Sequence, residues 1–222
     1  MQFAMHLRHA CAVALAAALI ATTMTLASPP AAADQGTALP QPPTATPLPT
    51  VQMDGIAWEQ LVWGGTVYVG GSFSNARPAG AEPGTGEVPR ANLLAFDLAT
   101  GELRPGFVAD TNGQVLGLAM APDGSRLYVA GEFTAVNGVS AYRIAALDPA
   151  TGEVDRSFKG GTSYRVRSLL VTDDTVYAGG QFNDAGGQAR SNLAAFRRSD
   201  GAVLNWAPQA SGGQVMALAQ VP

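Results

Sequence analysis

VYVGGSFSNA, residues 67–76, returns as LYVAGEFTAV at 127–136 and as VYAGGQFNDA at 176–185. Each phrase is a hydrophobic strand that runs into glycine and then meets a phenylalanine. Taken alone, Gly70 and Gly71 resemble a phosphate cradle. Such a cradle needs a glycine-rich turn feeding the N-terminus of a helix. Here a polar residue, a Phe and a loop follow in every copy. The glycines therefore read as backbone devices, where a strand bulges or another segment approaches closely. Ala130 replaces the first glycine in the middle copy, so that position admits a β-carbon.

The match extends well beyond the phrase. ANLLAFDLATGELRPGF ends at Phe107, YRIAALDPATGEVDRSF at Phe158 and SNLAAFRRSDGAVLNW at Trp206. A short apolar run precedes each phrase: WEQLVWGG, VLGLAMAPDG and VRSLLVTDD. Tyr68, Tyr128 and Tyr177 are 60 and 49 residues apart, whereas Gly101, Gly152 and Gly201 are 51 and 49 apart. The first copy thus carries an insert, RPAGAEPGTGEVP at 77–89, whose Pro and Gly mark a surface loop. A fourth copy opens at Val215 with VMALAQVP and goes no further than a first strand.

Within one copy the pattern is a four-stranded antiparallel meander. In the second, Val115 to Met120 is strand one and APDG a turn, with Pro122 presetting φ and Gly124 supplying the left-handed position. Arg126 to Gly131 is strand two, AVNGVSAY a loop around Asn137-Gly138, and Arg143 to Asp148 strand three. PATG is a second tight turn, and Glu153 to Phe158 is strand four. Four short strands at a period near 50 are the pattern of propeller blades. The expected fold is all-β: a β-propeller of three complete blades plus one strand, open because closure takes about four to eight. The blades span about 55–110, 111–161 and 162–210, with the remnant at 211–222.

Positions that recur once per blade are expected to serve stacking. These are Tyr68, Tyr128 and Tyr177; Gly70, Gly71, Gly131, Gly179 and Gly180; Phe73, Phe133 and Phe182; Gly101, Gly152 and Gly201; and Phe107, Phe158 and Trp206. Arg90, Arg143 and Arg190 also recur at the start of strand three. They read as struts to a neighbouring loop, with a guanidinium ring at one mouth as the alternative. Trp58 and Trp63 belong to the first copy alone. They read as burial against a neighbouring blade, with a sugar-stacking platform as the alternative.

LYVAGEFTAVNGVSAYRIAALDPATGEVDRSF, residues 127–158, resembles the delta-60 repeat of exported bacterial proteins. That family shows a strand, Gly-Gly-x-Phe-Thr, an Asn-Gly loop, Arg-Ile-Ala-x-Leu, a turn and a final Asp-x-x-Phe. The likeness runs from about Trp58 to Trp206. The first copy departs from it in lacking the Asn-Gly loop. The third has Asn183 where Thr is usual and Arg197-Arg198 where the others have Asp97-Leu98 and Asp148-Pro149. The resemblance implies a β-propeller without an assigned activity. The blade outline is also similar to kelch repeats and to quinone-cofactor dehydrogenase blades, both of which blade geometry alone can produce.

Residues 1–33 read as a secretory signal: Arg8, an Ala-rich apolar run to about Leu26, then small residues at Ala31 and Ala33. An uncleaved membrane anchor is the alternative. Residues 34–50, DQGTALPQPPTATPLPT, read as an extended Pro/Thr linker, and 51–222 as the partial propeller. His6, His9 and Cys11 all precede the expected cleavage point. The mature chain would then have no disulfide, Cys nucleophile, Ser-His triad or His-ligated metal. Its 12 basic residues against 17 acidic ones form no stripe, which argues against nucleic acid. Asp97 and Asp148 sit in turns with too few oxygens for calcium and read as side-chain-capped hairpins. Asp173-Asp174 reads as a solvated acidic turn. No catalytic, cofactor or metal site is expected.

The function expected from sequence is a secreted or wall-associated, non-catalytic propeller. It would bind a protein or glycan, stay off the membrane once the signal is removed, and be completed by further blades. The alternative is a piece of a quinone-dependent dehydrogenase or propeller lyase whose active residues lie in those blades.

Overall fold

The computed structural model of the protein describes residues 49–220. The segment read as a signal, and all but the last two residues of the expected linker, lie outside them. Among the described residues there is no helix; every regular element is a strand in an antiparallel pair. The chain is an open, propeller-type array of three blades.

Each blade is built around a three-stranded meander. Blade 1 uses Ile56–Trp63, Thr66–Ser72 and Leu93–Asp97; blade 2 uses Val115–Met120, Leu127–Gly131 and Ile144–Leu147; blade 3 uses Val166–Val171, Thr175–Gly180 and Leu193–Arg197. The register repeats. Tyr68 lies opposite Leu61 and Ala95, Tyr128 opposite Ala119 and Ala146, and Tyr177 opposite Leu170 and Ala195. The first strands of neighbouring blades lie against one another, so the meanders run outward from a shared axis. Each inner strand also carries a bulge at the same place, between Ala57 and Glu59, Val115 and Gly117, and Val166 and Ser168.

The expected fourth strand is much reduced. It survives as one bridge per blade: Phe96 with Leu103, Leu147 with Val154 and Phe196 with Val203. In blade 2 the next residue ends the ladder, because the Asp155 carboxylate accepts hydrogen bonds from the backbone N–H and hydroxyl of Ser157. In blade 1, Pro105 has no N–H to donate. The chain turns there and carries Phe107 and Phe158 inward. The AVNGVSAY loop is in turn more regular than its sequence suggests. It is a hairpin, Ala135–Val136 with Val139–Ser140, turned on Asn137 and Gly138, both at positive φ as a two-residue type I′ turn requires. Blade 3 repeats it with Asp184–Ala185 and Gln188–Ala189. The insert of blade 1 widens the same hairpin, Asn75–Arg77 with Val88–Pro89, and Gln52–Met53 pairs on its outside.

Of the three core clusters among the described residues, two lie between blades; the third, Val51, Val67, Val69, Phe73, Ala76 and Leu94, lies on the leading face of blade 1. Tyr68, Leu93, Ala95 and Phe107 on the trailing face of blade 1 meet Val115, Leu127, Val129 and Phe133 on the leading face of blade 2. Tyr128, Ile144 and Phe158 on the trailing face of blade 2 meet Val166, Val176, Phe182 and Phe196 of blade 3. Alternation along a strand sends successive side chains to opposite faces, so one meander feeds two cores. Burying a Phe or Leu in them contributes roughly 1.5–3 kcal/mol each.

Candidate functional site

Sequence singles out the double glycine first, and its two positions do different work. A β-carbon on Gly71, Gly131 or Gly180 would overlap the backbone carbonyl of Ile56, Gln114 or Arg165, at the start of the same blade's inner strand. A β-carbon on Gly70 would run into the side chain of Val115 in the next blade, and one on Gly179 into Val215. Ala130 takes the place of Gly70 and Gly179 in blade 2 and packs in the core that holds Val166. The first position is therefore a contact between blades and the second a contact within one. Val215 donates its N–H to the Gly180 carbonyl, and Leu218 donates to the Ser168 hydroxyl. The remnant of the fourth copy thus docks on blade 3 without adding a strand to it.

The aromatic positions pair across each blade. Tyr68 and Phe107, Tyr128 and Phe158, and Tyr177 and Trp206 meet edge to face at 5.4, 5.3 and 5.1 Å. The Tyr68 hydroxyl donates to the carbonyl of Pro149 and that of Tyr128 to Arg198, each in the third turn of the following blade. Phe73, Phe133 and Phe182 are buried on leading faces. Gly101, Gly152 and Gly201 have φ of 72°, 80° and 77°, and a β-carbon there would strike Pro49, Val108 and Gly160. Pro49 thus lies on blade 1 as Val108 lies on blade 2.

The arginines divide. Arg90 and Arg190 occupy one position: their N–H groups donate to Ser74 and Asn183, and their guanidinium groups strap the hairpin to the outer segment through the carbonyls of Pro105 and Leu204. Ala141 holds that position in blade 2, donating to Thr134. Arg143 lies two residues further on, aligned with Asn92 and Asn192. All three sit at left-handed φ, 69°, 66° and 64°, and their N–H groups donate to Phe133, Phe73 and Phe182. Asn suits that conformation because its short amide bonds locally: Asn92 accepts from Phe73 and donates to Thr111 of the next blade. The expected set of three equivalent arginines does not form, because Arg143 takes the Asn corner.

Capped turns are present where expected. Asp97 accepts hydrogen bonds from the N–H groups of Ala99 and Thr100, and Asp148 from Ala150 and Thr151. These donors hold both carboxyls below the usual aspartate range. Asp54, Asn112 and Ser163 form a further set that sequence reading missed. Each accepts from two successive N–H groups of its blade's hairpin. The differing residue types, an acid, an amide and a hydroxyl, hid their shared role.

Two polar networks join blades at opposite ends of the inner strands. At one mouth, the Trp58 indole donates to Gln114 at 3.0 Å, Gln114 donates to Glu132 at 2.8 Å, and Arg165 pairs with Glu132 at 3.1 Å while lying over the Tyr164 ring. Trp58 and Trp63 are about half exposed, and both lean on blade 2, through Gln114 and Gly124, rather than on a preceding neighbour. At the other end Arg198 forms a two-pronged pair with Asp123, at 3.0 and 2.9 Å, and Arg126 pairs with Asp155 at 2.7 Å. The Arg198 guanidinium and the Ser125 hydroxyl, both bonded to Asp123, hold its carboxyl far below the usual range. The Arg197-Arg198 departure of blade 3 is thus a clamp onto blade 2. Glu132 is held by both Gln114 and Arg165. Among the described residues, no three His, Cys, Asp or Glu side chains converge as a metal site would require.

A family model described as a β-propeller domain of unknown function, DUF5122, matches residues 121–158. That is blade 2 from the end of its inner strand onward. A search of curated proteins returns no match. Among solved structures, one titled "Structure of U3-55K" is 10% identical over 75% of this chain, with a TM-score of 0.41. The aligned part covers 58% of that structure.

Proposed function

We propose that the protein is an exported, non-catalytic β-propeller of the delta-60 kind, a binding or scaffold module for a protein or glycan outside the cell, completed by blades beyond the three described. One observation carries this reading: most of the polar groups that recur from blade to blade are engaged within the fold, in turns, hairpins or the next blade. The Tyr68 and Tyr128 hydroxyls, the Asp97 and Asp148 carboxylates and the Arg90 and Arg190 guanidiniums have partners in a turn, the outer segment of their blade or the next blade. What varies between blades is the exposed loops, which is where a scaffold presents its specificity.

Further blades account for the two unequal end faces. Phe107 and Phe158 are 1% and 7% exposed beneath a following blade, whereas Trp206 is 41% exposed. On the leading face of blade 1 the exposure is confined to the inner strand: Val62 is 55% exposed against 8% for its counterpart Met120, while Val67, Val69, Phe73 and Leu94 are buried with Val51. Coding DNA downstream of Pro222 is expected to hold more copies at the same spacing. If none follows in any nearby frame, association between chains replaces this account. Titration of the protein with a pyrroloquinoline quinone, followed by tryptophan fluorescence, separates scaffold from enzyme. No stoichiometric complex is expected, and a one-to-one complex would sink the non-catalytic reading.

A further inference from the structure

Blade 2 differs from its neighbours at four positions that converge on one hollow. Ala141 stands where Arg90 and Arg190 strap the outer segment, as the matched hydrogen bonds to Thr134, Ser74 and Asn183 establish. Tyr142 stands where the other blades have Ala91 and Ser191, each of the three accepting the N–H that enters the next blade. Counting from the bridges at Val154, Leu103 and Val203, Arg156 replaces Pro105 and Asn205. Lys159 follows Phe158 where Val108 follows Phe107 and Ala207 follows Trp206. Lys159 is also the only lysine of the chain.

The consequence is a groove. With no arginine across it, the space between hairpin and outer segment opens to about 570 Å³, lined by Ser140, Ala141, Tyr142, Arg156, Phe158 and Lys159 among others. The matching hollow of blade 3, which Arg190 enters, is about 240 Å³. Tyr142 is 61% exposed, the most open of the large apolar side chains in the described fold. Arg156 and Lys159 are exposed, and neither joins an ion pair among the described residues. The nearest acid in sequence, Asp155, is held by Arg126.

We propose that this groove binds an acidic saccharide, a short run of uronate sugars. This rests on the binding-module reading above and gives it a site and a ligand class. Two unpaired cations on one wall call for anionic groups, and Arg156 can take a carboxylate through two parallel N–H donors. The open Tyr142 ring offers a flat apolar face for a sugar ring, and the Ser140 hydroxyl both donates and accepts. An acidic peptide would satisfy the cations but would leave the ring and hydroxyl without a matched partner. The volume is in the range of small-ligand pockets, roughly 300–1,000 Å³.

The single lysine makes the site directly observable. The full chain is labelled at Lys159 by reductive methylation with ¹³C-formaldehyde and titrated with trigalacturonate. The Lys159 methyl resonance is expected to shift saturably, while neutral trigalactose binds at least about tenfold more weakly, the loss expected for charge-assisted contacts. Arg156→Gln should weaken uronate binding by about tenfold. Ala141→Arg installs the strap of the other two blades and should abolish the shift while leaving the thermal midpoint unchanged or raised. An unmoved Lys159 resonance, full binding by Ala141→Arg, or equal affinity for a hexaglutamate peptide would each overturn the proposal. None of those results touches the non-catalytic reading, which fails only on a stoichiometric quinone complex.

Discussion

Gly131 and Gly70 look alike in sequence and should respond differently to the same substitution. A methyl on Gly131 meets a backbone carbonyl of its own blade, which cannot move without breaking the inner strand. Gly131→Ala is expected to cost about 2–3 kcal/mol in urea unfolding, the upper range for overpacking. A methyl on Gly70 meets the Val115 side chain, and Ala130 already occupies the equivalent place in blade 2. Gly70→Ala should cost about 1 kcal/mol or less, a tolerated change in packing volume. The tyrosines offer a second contrast. Tyr128→Phe removes a hydrogen bond to the Arg198 carbonyl and should cost about 1 kcal/mol. Tyr177 has no such partner among the described residues, so Tyr177→Phe should stay within about 0.5 kcal/mol of the parent. Equal losses at both tyrosines would show that the bond between blades contributes nothing.

At the level of elements, the turns between strands act as clamps between blades. Asp123 lies in the first turn of blade 2 and Arg198 in the last turn of blade 3, and their pairing lowers the Asp123 pKa. A carboxyl depressed on folding stabilises the folded state fully above its unfolded value. That contribution fades as pH falls below the ordinary aspartate range towards the folded value. Asp123→Asn should therefore lower the thermal midpoint at pH 7 and lower it by clearly less near pH 2. A loss of the same size at both pH values would mean that the pair's charge is not what holds the turn. Salt should weaken the effect as well, since the pair is partly exposed.

For the whole molecule, stability should depend on which face a side chain serves. Phe158 is covered by blade 3, so Phe158→Ala should cost about 3–5 kcal/mol. Trp206 has the same place on blade 3 but remains 41% exposed. Trp206→Ala should cost less than half as much, despite removing the larger side chain. A reversed order in chemical denaturation would mean that the trailing face of blade 3 is covered after all. Because each blade touches only its neighbours, end blades should open before the middle one. Hydrogen exchange is expected to show strongest protection in Leu127–Gly131, which is buried between two cores.

Sequence alone determined the period, the blade meander, the turn glycines and the aromatic positions, because each is set by local chemistry repeated at fixed spacing. Asn137-Gly138 dictates its turn wherever it stands, and alternating Val, Tyr and Ala dictate two buried faces. Tertiary structure decided what depends on contacts between distant segments. Arg143 looked like a third strut because it is an arginine near strand three; only the hydrogen bond to Phe133 places it on the Asn92 and Asn192 corner. The fourth strand looked complete because its residues suit a strand, but Pro105 and the Asp155–Ser157 turn stop its pairing after one bridge. The inner-strand bulges carry no residue signature, since Trp58, Leu116 and Arg167 share only a place in the register. The groove of blade 2 is likewise invisible in one dimension. An alanine in place of an arginine becomes a cavity only where folding brings hairpin and outer segment together.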